Sequence, residues 1–180
     1  AVVKKGSAKS SSHVPVSLPN GEVRLLSAGP SSELTKQVIE VFAARFLTEP
    51  AVLFISESGQ KVVTRDDQLA KSIGFNIEAE KNLPDIILAD IAHAVGTLIV
   101  FVEVVATDGP VSEKRKAALL EVAEKAQFPV EHVAFVTAYL DRSSAQFKKT
   151  VDQLAWGSYA WFASEPDGLV ILADKIQTLT

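Results

Sequence analysis

The stretch PDIILADIAHAVGTLIVFVEVVA, residues 84–106, decides how the rest of this 180-residue chain is read. Residues 84–89 (PDIILA) and 97–106 (TLIVFVEVVA) are β-branched apolar runs, joined by a loop that contains Gly96. Runs that are apolar at consecutive positions suit strands buried on both faces, and the short connection predicts that the two are neighbours in one sheet.

Downstream, Gly109 and Pro110 end the second run, and residues 112–126 then show helical spacing through Ala118, Leu119, Val122 and Ala126. That is the pattern of a crossover helix. HVAFVTA at 132–138 predicts a further strand, 143–154 a helix, and 159–163 and 169–172 two short strands separated by a turn at 165–168. Upstream, Leu34, Val38, Val41, Phe42 and Phe46 mark an amphipathic helix over 31–46, with Pro30 and two serines as start signals. After Pro50, AVLFI predicts a strand, SESGQ a turn, and the polar stretch with Asp66, Asp67 and Lys71 a second helix ending near Gly74. The expected fold is α/β, a mixed central sheet flanked by helices.

Residues 1–19 hold three lysines, five serines and no periodicity, and are expected to be a flexible tail or linker, with one domain over 20–180. A composition of 47% hydrophobic and 22% charged residues fits one domain with a sizeable core. The chain begins at Ala1 and has no methionine, so the expectation is processing or excision from something longer. No apolar run reaches membrane-spanning length and the N-terminus is polar, so a cytoplasmic protein without a membrane partner is expected. The lack of cysteine removes disulfides, thiolate catalysis and cysteine zinc sites, and His13, His93 and His132 share no ligand spacing. Any metal must therefore sit on oxygen. The net charge of -4 gives no overall basic signature for nucleic acid, although a local cationic face is compatible with it.

Glu103 carries the most chemical information, because it lies inside IVFVEVV, where an unpaired buried carboxylate costs several kcal/mol. A cation, a bound proton or a position at the rim of a cleft must compensate, unless the residue faces outward on an edge strand. Asp85 follows Pro84, a pair that by itself marks a turn into a strand. If the two strands are hairpin neighbours, Asp85 and Glu103 lie at the same end of the sheet and converge on one ion, as Mg²⁺ sites require. Glu33 falls in the first turn of the first helix, where the dipole favours an acid, or it adds a ligand. Glu57 reads as a solvated turn residue, or as part of the site. Lys114, Arg115 and Lys116 stand at the wrong end of their helix for the dipole, which points to an anionic partner or to a solvated face.

The order LPDIILAD, FVEVVATDGPVSEKRK, VAFVTAY, FKK, LAW and WFASEPD resembles the C-terminal catalytic domain of the BsuBI/PstI type II restriction endonucleases, from about Ser27 to Leu172. Its most specific block runs from Glu103 to Arg115. The resemblance implies the PD-(D/E)XK restriction-endonuclease-like fold and metal-dependent hydrolysis of DNA phosphodiester bonds. Its metal ligands would be Asp85, Glu103 and Glu33, and Mg²⁺ its cofactor, with Mn²⁺ able to substitute. Thr107, Asp108, Gly109, Lys114 and Arg115 would face double-stranded DNA. By the same analogy the protein pairs as a homodimer and carries an N-terminal helical domain that this chain lacks. Three departures stand out: the motif position normally occupied by lysine is Val105, Ser31 stands where the family has histidine, and Ser56, Glu57 and Ser58 replace Gly-Asp-Thr. The catalytic cation is then expected from Lys61 first and Lys116 second. The competing reading keeps the nuclease fold as an inactive DNA-binding or regulatory module.

Overall fold

The computed structural model describes residues 12–57, 61–77, 82–94, 96–106, 109–175 and 179. Two strands open it: β1 (His13–Ser17) and β2 (Val23–Ser27) form an antiparallel ribbon in which Val14 pairs with Leu26. A strand at 13–17 corrects the expectation of a tail as far as residue 19. The cause is an alternation that Pro15 and the flanking serines obscure: Val14, Val16 and Leu26 are buried in the core, while His13, Pro15 and Ser17 face out.

A continuous helix follows as α1 (Pro30–Gln37), a π-type segment (Val38–Phe42) and α2 (Ala43–Phe46). Pro30 suits the first turn because its missing N–H has no partner there in any case. Leu34, Val38 and Phe42 of the expected stripe are buried and Val41 and Phe46 partly so, while Ile39, outside the expected spacing, is buried as well.

The main sheet has seven strands in the order β4-β3-β5-β6-β7-β8-β9. These are β3 (Pro50–Glu57), β4 (Lys61–Arg65), β5 (Ile86–Asp90), β6 (Leu98–Val104), β7 (Val133–Tyr139), β8 (Ser158–Phe162) and β9 (Val170–Leu172). All pairs are antiparallel except β6 with β7 and β7 with β8. β4 has no counterpart in the sequence reading, because KVVTR carries charge at both ends and lies at the sheet edge. Helix α3 (Asp67–Ser72) is capped by Asp66, whose side chain accepts the Leu69 N–H.

Helix α4 (Glu113–Lys125) makes the parallel crossover from β6 to β7, capped by Ser112. Where a single helix is expected over 143–154, α5 (Ala145–Thr150) gives way to one 3-10 turn (Val151–Gln153).

Each central strand feeds two cores. Ile86, Leu88, Val100, Val102 and Val104 pack against α1, the π-type segment and α2. Ile87, Ala89, Ile99, Phe101 and Phe135 pack against Leu119, Val122 and Ala123 of α4. This two-sided burial explains why the deciding sequence shows no polar alternation. Among the described residues no helix is long and apolar enough to cross a membrane.

Candidate active site

The antiparallel register of β5 and β6 sets Ile86 opposite Val102, which places Asp85 opposite Glu103 at one end of the sheet. Both residues share the parity of Ile87 and Phe101 and so belong to the α4 face. The backbone fixes Asp85 twice: its Oδ2 accepts the Val104 N–H at 2.8 Å, and its carbonyl accepts the Ser56 N–H from β3 at 2.9 Å.

Glu103 is only 5% exposed. Burial first, and then the charge of Asp85, push its carboxyl up to about 8, against the opposing pull of the Arg115 guanidinium. A side-chain hydrogen bond joins it to Asp85, so at neutral pH the two acids share a proton.

Arg115 reaches this pair from the first turn of α4. Its Nε donates to Glu103 Oε1 at 2.6 Å and its Nη2 to the Leu83 carbonyl at 3.0 Å. Arg115 was expected at a DNA phosphate, yet here the cation sits inside the carboxylate site. A carboxyl buried this deeply needs a hydrogen-bond donor in place of water, and the guanidinium at the start of α4 is within reach to supply it.

The other expected residues separate. Glu33 lies exposed on α1, on the opposite face of the sheet, beside a hollow of about 270 Å³ lined by Gln37, Leu140, Ala163 and Ser164. The three acids expected as metal ligands therefore do not come together: among the described residues no group of three or more acidic, histidine or cysteine side chains is placed to hold an ion. Lys116 is also turned away, its Nζ donating to the Trp156 carbonyl at 2.8 Å and lying 5.7 Å from the centre of the Phe135 ring. Lys61 opens β4 opposite Glu57, with β3 between it and Asp85. Glu57 is no solvated turn residue: its carboxylate accepts the backbone N–H and the hydroxyl of Ser27. Val105 is 4% exposed and packs with Tyr139 and Phe162, so the position normally held by lysine is apolar core. Lys114 and Gly109 are exposed beside the start of α4, whereas Thr107 and Asp108 lie outside the described residues.

Two participants escape the sequence reading. The Leu83 carbonyl carries no side-chain signal at all. Thr137 does carry one, as the polar member of HVAFVTA, and the parallel register sets it opposite Glu103. Its Oγ1 accepts the Val111 N–H at 3.0 Å.

A mixed seven-stranded sheet with paired acids at the ends of adjacent central strands defines a restriction-endonuclease-like domain. The SdaI restriction endonuclease structure matches it with a TM-score of 0.78 and 27% identity, over 92% of this chain and 50% of that one. The model of the BsuBI/PstI restriction endonuclease domain matches residues 14–175, and the chain belongs to that family. The type II restriction enzyme BsuBI of Bacillus subtilis is 26% identical over 157 residues, 87% of this chain and 47% of that protein. The chain thus spans about half the length of both relatives.

Proposed function

We propose that this domain is the catalytic part of a type II restriction endonuclease that hydrolyses phosphodiester bonds of double-stranded DNA with a divalent cation, Mg²⁺ or in its place Mn²⁺. One observation carries this reading: the pair of half-buried Asp85 and buried Glu103, brought together by strand register and facing the Arg115 guanidinium. The donor set fits the ion. Both side chains offer hard carboxylate oxygen, neither sulfur nor imidazole is among them, and water and a substrate phosphate would complete the shell.

When bound there, the cation supplies Lewis acidity toward the phosphodiester and eases the loss of a proton from the attacking water. The residues themselves do the positioning. Asp85 is rigid because β6 and β3 hold its carboxylate and carbonyl. Glu103 would have to release its proton to act as a second carboxylate ligand, and the charge of a bound dication would offset the repulsion from Asp85. Lys114 and the exposed part of Arg115 would contact the DNA backbone, with Gly109 exposed nearby; Thr107 and Asp108, expected at the same contact, lie outside the described residues. Lys61, at the same end of the sheet, is the candidate for orienting water. Double-strand cleavage would need a second active site, which a two-fold copy of the chain would supply, and the family resemblance adds an N-terminal helical domain as a further partner. A cytoplasmic site of action follows for such an enzyme.

The test is plasmid cleavage in Mg²⁺ or Mn²⁺ by this chain and by any longer natural form. Cleavage abolished by Asp85→Ala and by Glu103→Ala supports the proposal. An inert wild type, in both forms and both metals, moves the reading to an inactive nuclease-fold module that binds DNA.

A further inference from the structure

Two acids on adjacent strands repel each other as soon as both are charged, so the hydrogen bond between Glu103 and Asp85 cannot by itself keep the flexible Glu103 side chain aimed once the pair ionises. The structure supplies that aim through a closed circuit of hydrogen bonds. Thr137, fully buried on β7 and opposite Glu103 in the parallel register, accepts the Val111 N–H on its Oγ1 at 3.0 Å. The Val111 carbonyl in turn accepts the Ala155 N–H at 2.9 Å, so this residue is held from both sides. The next residue, Ser112, caps α4 by accepting the Arg115 N–H at 3.2 Å. Arg115 then spans from the Leu83 carbonyl to Glu103 Oε1, returning to the strand beside Thr137.

We infer that Arg115 and Thr137 are positioning residues of the carboxylate pair. Arg115 sets the orientation of Glu103, and Thr137 sets where α4 begins and hence where Arg115 points. This inference rests on the proposed metal site, and it adds residues beyond the two ligands. A planar guanidinium fits the role because it bonds an acid and a carbonyl in two fixed directions, whereas an ammonium offers a single centre of charge. A valine at 137 keeps the shape of threonine but leaves the buried Val111 N–H without its acceptor.

The experiment measures Mn²⁺ affinity by calorimetry, well below the melting temperature, for the wild-type chain and for Arg115→Lys, Thr137→Val, Thr137→Ser and Asp85→Asn, with thermal melts of each in chelator. Removing a group that orients a ligand weakens metal binding by roughly 10- to 100-fold. That loss is expected for Arg115→Lys and Thr137→Val, with recovery in Thr137→Ser, whose hydroxyl is retained. If melting temperatures fall while Mn²⁺ affinity holds, the two residues are merely structural and the inference is overturned. Tighter Mn²⁺ binding by Arg115→Lys makes Arg115 a competitor for Glu103 and overturns it as well. A wild type that binds no Mn²⁺, or binds it no better than Asp85→Asn, removes the metal site itself and with it the proposal on which the inference rests.

Discussion

Glu103→Gln separates the proton on Glu103 from every other titrating group in the protein. In the wild type without metal, the folded carboxyl keeps its proton to about 8, held by burial and by the Asp85 charge, while the unfolded chain releases it near the ordinary value of 4.5. The folded state therefore binds more protons across that interval, and stability falls as pH rises through it, levelling off once the folded group also ionises. Between about pH 5 and about pH 9 the loss sums to about 4 kcal/mol, at roughly 1.4 kcal/mol for each pH unit spent inside the window. Glutamine carries no such titration and resembles the protonated acid: its carbonyl can accept from Arg115 Nε, and its amide can donate to Asp85 in place of the shared proton. At about pH 5 the two proteins should melt close together. At about pH 9 the variant should lead by roughly 8–16 °C, given about 2–4 °C per kcal/mol for a chain of this size. The assay is thermal melting in chelator across that range, read as the difference between the two proteins so that groups not coupled to Glu103 cancel. Parallel curves, or a wild type that gains on the variant with rising pH, would refute the claim that this carboxyl is buried protonated beside Asp85.

The same proton should make metal binding depend on pH: Mn²⁺ affinity is expected to rise with pH and to flatten above about 8, and calorimetry in buffers of different ionisation enthalpy should show proton release on binding. With the ion at about a hundred times its dissociation constant, the wild-type fold should gain about 3 kcal/mol, or roughly 5–10 °C in melting temperature, and Asp85→Ala should show no gain. Asp90 is 1% exposed and its carboxylate accepts the N–H groups of Thr48 and Glu49, so Asp90→Ala should cost roughly 2–4 kcal/mol in chemical denaturation while leaving Mn²⁺ affinity unchanged.

How much of this was legible in the sequence followed from how local each signal is. Residues 84–106 announce two buried strands because an unbroken run of Ile, Val, Leu and Phe has few other places to go. Asp85 and Glu103 follow from them, since strand pairing alone dictates their meeting. The ribbon at 13–17 was hidden because its period-two pattern is only five residues long and is broken by Pro15. Glu33 was misplaced for a different reason: sequence spacing puts an acid on a helix but cannot say which face of the sheet that helix covers. Arg115 was picked out as a cation needing an anion, and the anion turned out to be Glu103 itself, twelve residues earlier on the neighbouring strand. Thr137 and the Leu83 carbonyl act through contacts 26 and 32 residues apart in the chain, which no local pattern encodes.

The pairing of Ile86 with Val102 also bears on when the protein becomes competent during folding. A slip of one residue between β5 and β6 would turn Asp85 toward the α1 side of the sheet, while Glu103 stayed on the α4 side. If the pair holds an ion as proposed, no partly registered hairpin could do so with both acids, and a nascent chain would acquire its metal affinity in one step, after its central strands have locked. In stopped-flow refolding, Mn²⁺ uptake should follow the slow signal of sheet formation rather than the fast helical one. Uptake during the helical phase would show that a looser arrangement of the two carboxylates is enough.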